Sequence, residues 1–106
     1  MDKIIKIQNL LPKIKKAIED DNYLYTGHAN QRLQLREVTR QEVKQVLISG
    51  YHEKKKDTYD EAFLAWNYAI RGKTIDSKEL RVIISFHEDN MLVITVIDLG
   101  RLSYEN

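Results

Sequence analysis

Hydrophobic residues near the N-terminus recur at steps of three and four positions, which places them on one face of a helix. The residues with this spacing are Ile4, Ile7, Leu11, Ile14 and Ile18. They predict an N-terminal helix over about residues 2–20. Pro12 lies inside this stretch and has no backbone N–H, so we expect a kink or a new helix start there.

The next segment predicts a pair of short helices at about residues 27–49. Thr26 is placed as the N-cap of the first helix, and Thr39 with Glu42 fits the capping box that begins the second. Gly50 follows the second helix, where a glycine commonly takes the left-handed conformation.

The pattern changes to strands after Gly50. Residues 51–57 are polar and contain three consecutive lysines, which favours an edge strand. Residues 62–70 are rich in aromatic and apolar side chains, residues 80–87 alternate, and residues 91–99 are almost wholly apolar. This order predicts an α+β fold, with the helices packed on one face of a mostly antiparallel sheet of about four strands at residues 51–99.

The length of 106 residues predicts a single domain spanning residues 1–106. The chain has no cysteine, which excludes disulfides and thiolate zinc sites. No stretch reaches the roughly 20 apolar residues of a membrane span, and the N-terminus lacks the apolar run of a signal peptide. We therefore expect a soluble cytoplasmic protein without membrane contact.

The charge is unevenly distributed along the chain, although the formal net charge is only +1. Residues 28–56 contain seven Lys or Arg and three Glu, a net charge of +4, whereas the rest of the chain is negative by three. A basic segment in a near-neutral protein suits an anionic partner on one face. A solvated helix surface is the alternative interpretation.

His28, Arg32 and Arg36 recur at steps of four in the first helix of the pair and therefore share one face. An imidazole can move a proton, and a guanidinium can bind a phosphate through two hydrogen bonds. In the first turn of a helix, the free N–H groups and the helix dipole oppose a charged imidazole. The pattern is also common without function, and Arg36 could instead pair with Glu42.

Other candidate residues lie in the strand region. His87 or His52 could supply a second acid or base, although either could equally be a surface histidine. Lys54, Lys55 and Lys56 could contact phosphates, Tyr51 could stack on a base, and His52 beside it is a further candidate for binding the same ligand. A solvated edge strand is the alternative explanation for the lysines. No metal-ligand cluster, phosphate-binding loop or dinucleotide motif occurs, so no cofactor and no metal are expected.

The helical segment has the arrangement T-G-H-A-x-x-R-L-x-x-R-x-V-T-x-x-E-V, which begins at Thr26 and ends at Val43. This arrangement resembles the bacterial family known as domain of unknown function 4258. That family is placed with the RelE/ParE-like toxins and, more loosely, with the barnase-like ribonuclease fold. The resemblance covers about residues 23–98. The sequence departs from it at Glu37, where many relatives have glycine.

The resemblance implies the toxin of a type II toxin–antitoxin system that cleaves RNA, messenger RNA in particular, without a metal. It implies a cognate antitoxin with a YgiT-type zinc finger or a helix-turn-helix. Carried over by position, His28 is the acid or base, Arg32 stabilises the phosphate and Arg36 is the second arginine. The alternative is a non-catalytic module of the same fold that binds nucleic acid or protein.

Overall fold

The computed structural model of the chain describes residues 3–100, and within that range the chain forms three α-helices and six strands. The helices are α1 (Leu10–Glu19), α2 (Gly27–Arg36) and α3 (Arg40–Ser49). The strands are β1 (Tyr23–Tyr25), β2 (Tyr51–His52), β3 (Thr58–Asp60), β4 (Ala65–Lys73), β5 (Glu79–His87) and β6 (Asn90–Asp98). No helix in this part of the chain is long and apolar enough to cross a membrane.

The strands form one open, mixed sheet in the order β1–β6–β5–β4–β2, with β3 also paired to β4. β1 runs parallel to β6, and the other pairs are antiparallel. The predicted α+β class is confirmed, but the prediction of about four strands is wrong. β1 and β3, which the predicted count did not include, have three residues each, too few for an alternating pattern to stand out.

A single apolar core joins all three helices to one face of the sheet. Its fully enclosed members include Ile14, Ala29, Val43, Val46, Ile70, Val82, Ile84 and Val93. Burying a side chain of valine, leucine or isoleucine contributes roughly 1.5–3 kcal/mol each. The opposite side of the sheet, which carries Asn67, Arg71, Arg81, Ser85 and His87, is called the open face below.

The predicted helix over residues 2–20 is too long, because α1 begins only at Leu10. Pro12 is in the first turn of this helix, where the missing N–H costs no helical hydrogen bond. The new helix start expected near Pro12 is therefore confirmed. Ile4 and Ile7 precede the helix, and residue 2 lies outside the described residues.

The segment before α1 is attached to the sheet by hydrogen bonds instead of forming helix. The Ile7 N–H donates to the hydroxyl of Tyr68 at 2.9 Å, and the indole N–H of Trp66 donates to the Ile4 carbonyl at 2.5 Å. These bonds occupy backbone groups that a longer helix would have used internally. Tertiary contacts with aromatic side chains thus override the helical periodicity of this segment.

Residues 54–57 do not continue the edge strand predicted for residues 51–57, because Lys54–Lys56 forms a 3₁₀ turn. The Glu53 N–H donates to the Ala69 carbonyl at 2.8 Å, and the Asp57 carboxylate accepts the Ala69 N–H at 2.9 Å. Both backbone groups of Ala69 are thereby satisfied. A side chain replaces the strand at this edge, and the lysines turn outward to solvent.

Both predicted helix starts are confirmed, whereas the predicted conformation of Gly50 is wrong. The Thr26 hydroxyl accepts the Ala29 N–H, and the capping box of Thr39 and Glu42 is complete. Gly50 is extended, with φ −78° and ψ −179°. A Cβ at Gly50 would lie 2.5 Å from the Val46 carbonyl oxygen, so glycine is needed here for close backbone packing.

The left-handed residue lies instead at the end of α2. Glu37 has φ 54° and ψ 44°, and its N–H is bonded to the carbonyls of Leu33 and Gln34. A residue with a Cβ is strained in this region, by roughly 1–2 kcal/mol. A glycine at this position would be free of that strain.

We predict that Glu37→Gly raises the free energy of unfolding by about 0.5–1 kcal/mol, because relief of strain outweighs the greater freedom of glycine in the unfolded chain. Denaturant unfolding of the purified proteins measures this. Glu37→Ala is the matched control, since it removes the same carboxylate but keeps a Cβ. Equal stabilisation by both substitutions would assign the effect to charge and contradict the conformational explanation.

Candidate functional site

Thr26 fixes the start of α2 beside β6. Its N–H donates to the Val93 carbonyl at 3.0 Å, and its hydroxyl donates to the Ile94 carbonyl at 3.2 Å while accepting the Ala29 N–H at 3.0 Å. Ile94 lies at a β-bulge, because Val93 pairs with Ile84 whereas Thr95 pairs with the adjacent Ile83. The bulge leaves Ile94 without an opposing residue on β5, and the threonine hydroxyl bonds its carbonyl.

Contacts with α3 and β1 set the rotation of α2 about its axis. Arg40 donates to the Asn30 side chain at 2.7 Å, and its guanidinium lies 4.4 Å from the centre of the Tyr25 ring. Burial raises the pKa of Tyr25 to about 12, so the ring under the cation stays neutral. Residues two apart are about 200° apart around a helix. His28 is therefore on the flank opposite Asn30, away from α3.

His28 and Arg32 contact each other on that exposed flank. The Arg32 Nε–H donates to His28 Nε2 at 3.4 Å, so this ring nitrogen acts as an acceptor. The bond is longer than the usual 2.7–3.2 Å range for such contacts. The guanidinium can therefore leave the imidazole for a phosphate oxygen at little cost.

Arg36 lies one turn beyond Arg32 and is half-buried. Within residues 3–100 it forms no ion pair, and its buried Nε has no hydrogen-bond acceptor. Glu42, the alternative partner considered from the sequence, instead closes the capping box with Thr39 and pairs with Lys78 at 3.3 Å. Desolvation raises the pKa of Glu42, but hydrogen bonds from Thr39 and Lys78 together outweigh it and hold this pKa below its ordinary value.

His87 lines a cavity of about 320 Å³ on the open face, near the start of α2. Thr26, the N-cap of the helix that carries His28, lines the same cavity. His87 is exposed, and its ring meets the Phe63 ring edge-on with centroids 6.4 Å apart. Of the two histidines considered as a second acid or base, His87 thus shares a cavity with the N-cap of α2, although it lies on the face of the sheet opposite the helices.

The other predicted binding residues lie at the opposite edge of the sheet. Tyr51 and His52 are in β2, and the exposed Lys54–Lys56 follows directly. β5 and β4 separate this edge from β6 and α2. The structure therefore does not bring Tyr51, His52 and the lysines together with His28 and Arg32.

His52 is a structural partner of a buried carboxylate. Its Nε2 lies 2.7 Å from Asp57 Oδ2, and Lys6 Nζ lies 3.0 Å from the same oxygen. The Asp57 side chain is 0% exposed and that of His52 only 12%. A buried carboxylate needs such donors, so this imidazole is committed to the fold.

The open face also carries an ion-pair network that the sequence analysis missed. Arg71 and Arg81 are directly opposite each other in β4 and β5, where like charges repel. Glu53 lies between them, 3.0 Å from Arg71 Nη1 and 2.7 Å from Arg81 Nε, and Glu79 also pairs with Arg71. The sequence indicated only that Arg81 is one of the polar residues that alternate with apolar residues in β5.

Hydrogen bonds from Arg81 and then Arg71 outweigh the desolvation of Glu53 and hold its pKa below the ordinary value of 4.5. Both guanidiniums are thus neutralised by carboxylates. The described residues also contain no group of three or more His, Asp or Glu side chains positioned to hold a metal ion.

Comparison with known proteins gives one family match. A family model described as Domain of unknown function (DUF4258) matches residues 25–98, from the end of β1 to the end of β6. No curated protein and no solved structure matches the chain. The matched region includes His28, Arg32 and the whole open face, whereas α1 precedes it.

We predict that the stability of the protein falls as the pH drops below about 4.5, partly through Glu53. A carboxylate whose pKa is lowered by folding stabilises the native state above its unfolded pKa, and this contribution is lost as the pH falls through the folded pKa. Glu53→Gln should therefore lower the melting temperature by several degrees at neutral pH and make its acid dependence shallower.

Thermal unfolding followed by circular dichroism across this pH range measures both effects. Glu61→Gln is the matched control, because Glu61 is exposed and forms no ion pair with residues 3–100. An unchanged acid dependence in Glu53→Gln would show that the network does not couple to folding.

Proposed function

The chain belongs to the family described as Domain of unknown function (DUF4258), and we propose that it is a RelE/ParE-like endoribonuclease that cleaves RNA without a metal. The proposed biological role is the toxin of a type II toxin–antitoxin system. The observation that carries the proposal is the exposed contact between His28 and Arg32. It combines a proton acceptor with a phosphate-binding cation, the two groups that metal-independent RNA cleavage requires first.

In the proposed reaction, His28 Nε2 takes the proton of a ribose 2′-OH. The 2′-oxygen then attacks the adjacent phosphorus, a bond forms between them, and the bond from phosphorus to the 5′-oxygen breaks. Arg32 leaves the imidazole to hold the phosphate oxygens as their charge rises, which frees Nε2 for the proton. The products are a 2′,3′-cyclic phosphate and a 5′-hydroxyl end.

The leaving 5′-oxygen needs a proton from an acid, and His87 in its protonated form is the proposed donor. Support comes from its exposure and from the cavity that it shares with Thr26. Arg36 is the proposed contact for a neighbouring phosphate, because it lies one turn beyond Arg32 and is free of carboxylate partners among residues 3–100.

The proposed partners follow from this role. The substrate is RNA, with messenger RNA as the expected target, and the site of action is the cytoplasm. A cognate antitoxin with a YgiT-type zinc finger or a helix-turn-helix would inhibit the enzyme. Covering the exposed His28 and the half-buried Arg32 would be sufficient for inhibition, since the proposed reaction needs both side chains free.

A second candidate is a non-catalytic nucleic-acid-binding module. The observation that favours it is the exposed turn Lys54–Lys56, which carries three cations at the sheet edge far from His28. Phosphate contacts made by such lysines would give an RNA affinity that falls steeply with salt. Substituting the three lysines by alanine should then flatten this salt dependence, and wild type should bind RNA without cutting it.

The test of the ribonuclease proposal compares wild type with His28→Gln and Arg32→Lys on labelled single-stranded RNA. His28→Gln removes the titratable ring, and Arg32→Lys keeps the charge but loses the bidentate geometry. We expect His28→Gln to reduce the cleavage rate by about 100-fold or more. Arg32→Lys should retain more activity than Arg32→Ala. Products should carry a cyclic phosphate and a 5′-hydroxyl.

Gln34→Ala is the control, because Gln34 is an exposed residue of the same helix and lies about 200° around the helix from Arg32. Induced expression in a bacterial host gives a second measurement, in which wild type should arrest growth and produce new RNA 5′ ends. Full cleavage and growth arrest by folded His28→Gln and Arg32→Ala proteins would refute the proposal.

A further inference from the structure

Phe63 is held in an exposed position at the rim of the open-face cavity. The turn between β3 and β4 is fixed by the Asp60 carboxylate, which accepts the N–H groups of Ala62 at 2.9 Å and Phe63 at 3.2 Å. The Phe63 side chain is nevertheless 71% exposed, and one edge contact with His87 supports it. A rigid turn that holds a phenyl ring in solvent offers a flat stacking surface.

Asn67 supplies an unused polar group in the same cavity. It lies on the open face of β4, and among residues 3–100 its side-chain amide has no hydrogen-bond partner. Ser85, its polar neighbour in the cavity, already donates to the Trp66 carbonyl at 3.0 Å. The Asn67 amide can therefore donate one hydrogen bond to a ligand and accept one from it.

The remaining walls of the cavity are mainly apolar and include Ala65, Leu92 and Ile94. A volume of about 320 Å³ is at the lower end of the range for small-ligand sites, about 300–1,000 Å³. The cavity thus combines an aromatic rim, an apolar floor and the Asn67 amide. His87 and Asp60 also line it, and Asp60 Oδ1 already accepts the two N–H groups of the turn. A nucleobase has matching features, namely two flat faces and an edge with adjacent donors and acceptors.

We propose that this cavity binds one unpaired base of single-stranded RNA, which stacks on Phe63 and is hydrogen-bonded by Asn67. The choice of RNA as ligand rests on the proposed function. With Thr26 in the cavity wall, a strand whose base enters here would pass close to the first turn of α2. The subsite would then set the register of the strand relative to His28 and Arg32.

The competing occupant is an apolar side chain from a partner protein. Such a side chain would contact Phe63 and Leu92 equally well, but it would bury the Asn67 amide without a hydrogen bond. An unpaired buried amide is costly, by about 1–3 kcal/mol. The amide therefore favours the base, and the experiment below separates the two.

The experiment measures the affinity of wild type, Phe63→Ala and Asn67→Leu for a short fluorescent 2′-O-methyl RNA, which cannot be cleaved, by anisotropy at one fixed salt concentration. A matched set of strands carries an abasic residue at each position in turn. We expect each substitution to weaken binding of the intact strand about tenfold. One of the abasic strands should bind wild type about as weakly as the intact strand binds Phe63→Ala. For that abasic strand, Phe63→Ala should reduce the affinity no further.

Ile75→Ala is the control, because Ile75 is 84% exposed and lies outside the cavity, and thermal unfolding verifies that all variants are folded. The proposal would be overturned if the affinity losses caused by Phe63→Ala and by the abasic residue were additive for every abasic strand. Unchanged RNA affinity in both Phe63→Ala and Asn67→Leu would also overturn the proposal and would favour a protein side chain as the occupant of the cavity.

The outcomes also separate this subsite from the proposed function. Binding with the expected coupling, but no cleavage of unmodified RNA, would support the base site and refute the ribonuclease. Cleavage that depends on His28, with binding unaffected by Phe63→Ala and Asn67→Leu, would support the ribonuclease and overturn the base site.

Discussion

The hydrogen bonds of Thr26 connect the sheet to the helix that carries the candidate site. One residue ends the parallel pairing of β1 with β6, bonds the carbonyl at the bulge of β6 and caps α2. An N-cap normally stabilises only its own helix, by about 1 kcal/mol. Here the same hydroxyl also bonds Ile94, so the direction of α2 is tied to the twist and bulge of the sheet. The position of His28 and Arg32 depends on this junction.

The opposite edge of the sheet depends on the buried carboxylate of Asp57. It receives the Ala69 N–H and is approached by His52 and Lys6, which come from β2 and the N-terminal segment. A carboxylate without these donors would be costly to bury, so the three parts of the chain are stabilised together. This requirement explains why His52 belongs to the fold and why the chain leaves the sheet edge at Lys54–Lys56.

Pairing of the cations determines which of them remain available to a ligand. Arg71 and Arg81 are joined to Glu53 and Glu79, and Arg40 is held by Asn30 and Tyr25. Arg32, by contrast, is bonded to the imidazole of His28 and not to a carboxylate. Of the basic residues between His28 and Lys56, Arg40 is therefore held within the fold and adds little to the free positive surface. The exposed flank of α2 and the lysine turn are distinct surfaces, which favour distinct roles.

Local sequence determined the features that depend on neighbouring residues. The caps at Thr26 and Thr39, the pairing of His28 with Arg32 at a step of four, and the alternation of β5 were predicted because each needs only residues a few positions apart. The tertiary structure decided the parallel pairing of β1, the late start of α1, the turn at Lys54–Lys56 and the cavity with Phe63 and Asn67. Each of these depends on groups distant in the chain, such as Tyr68 with Ile7 or Asp57 with Ala69, and hydrophobic periodicity carries no information about such partners.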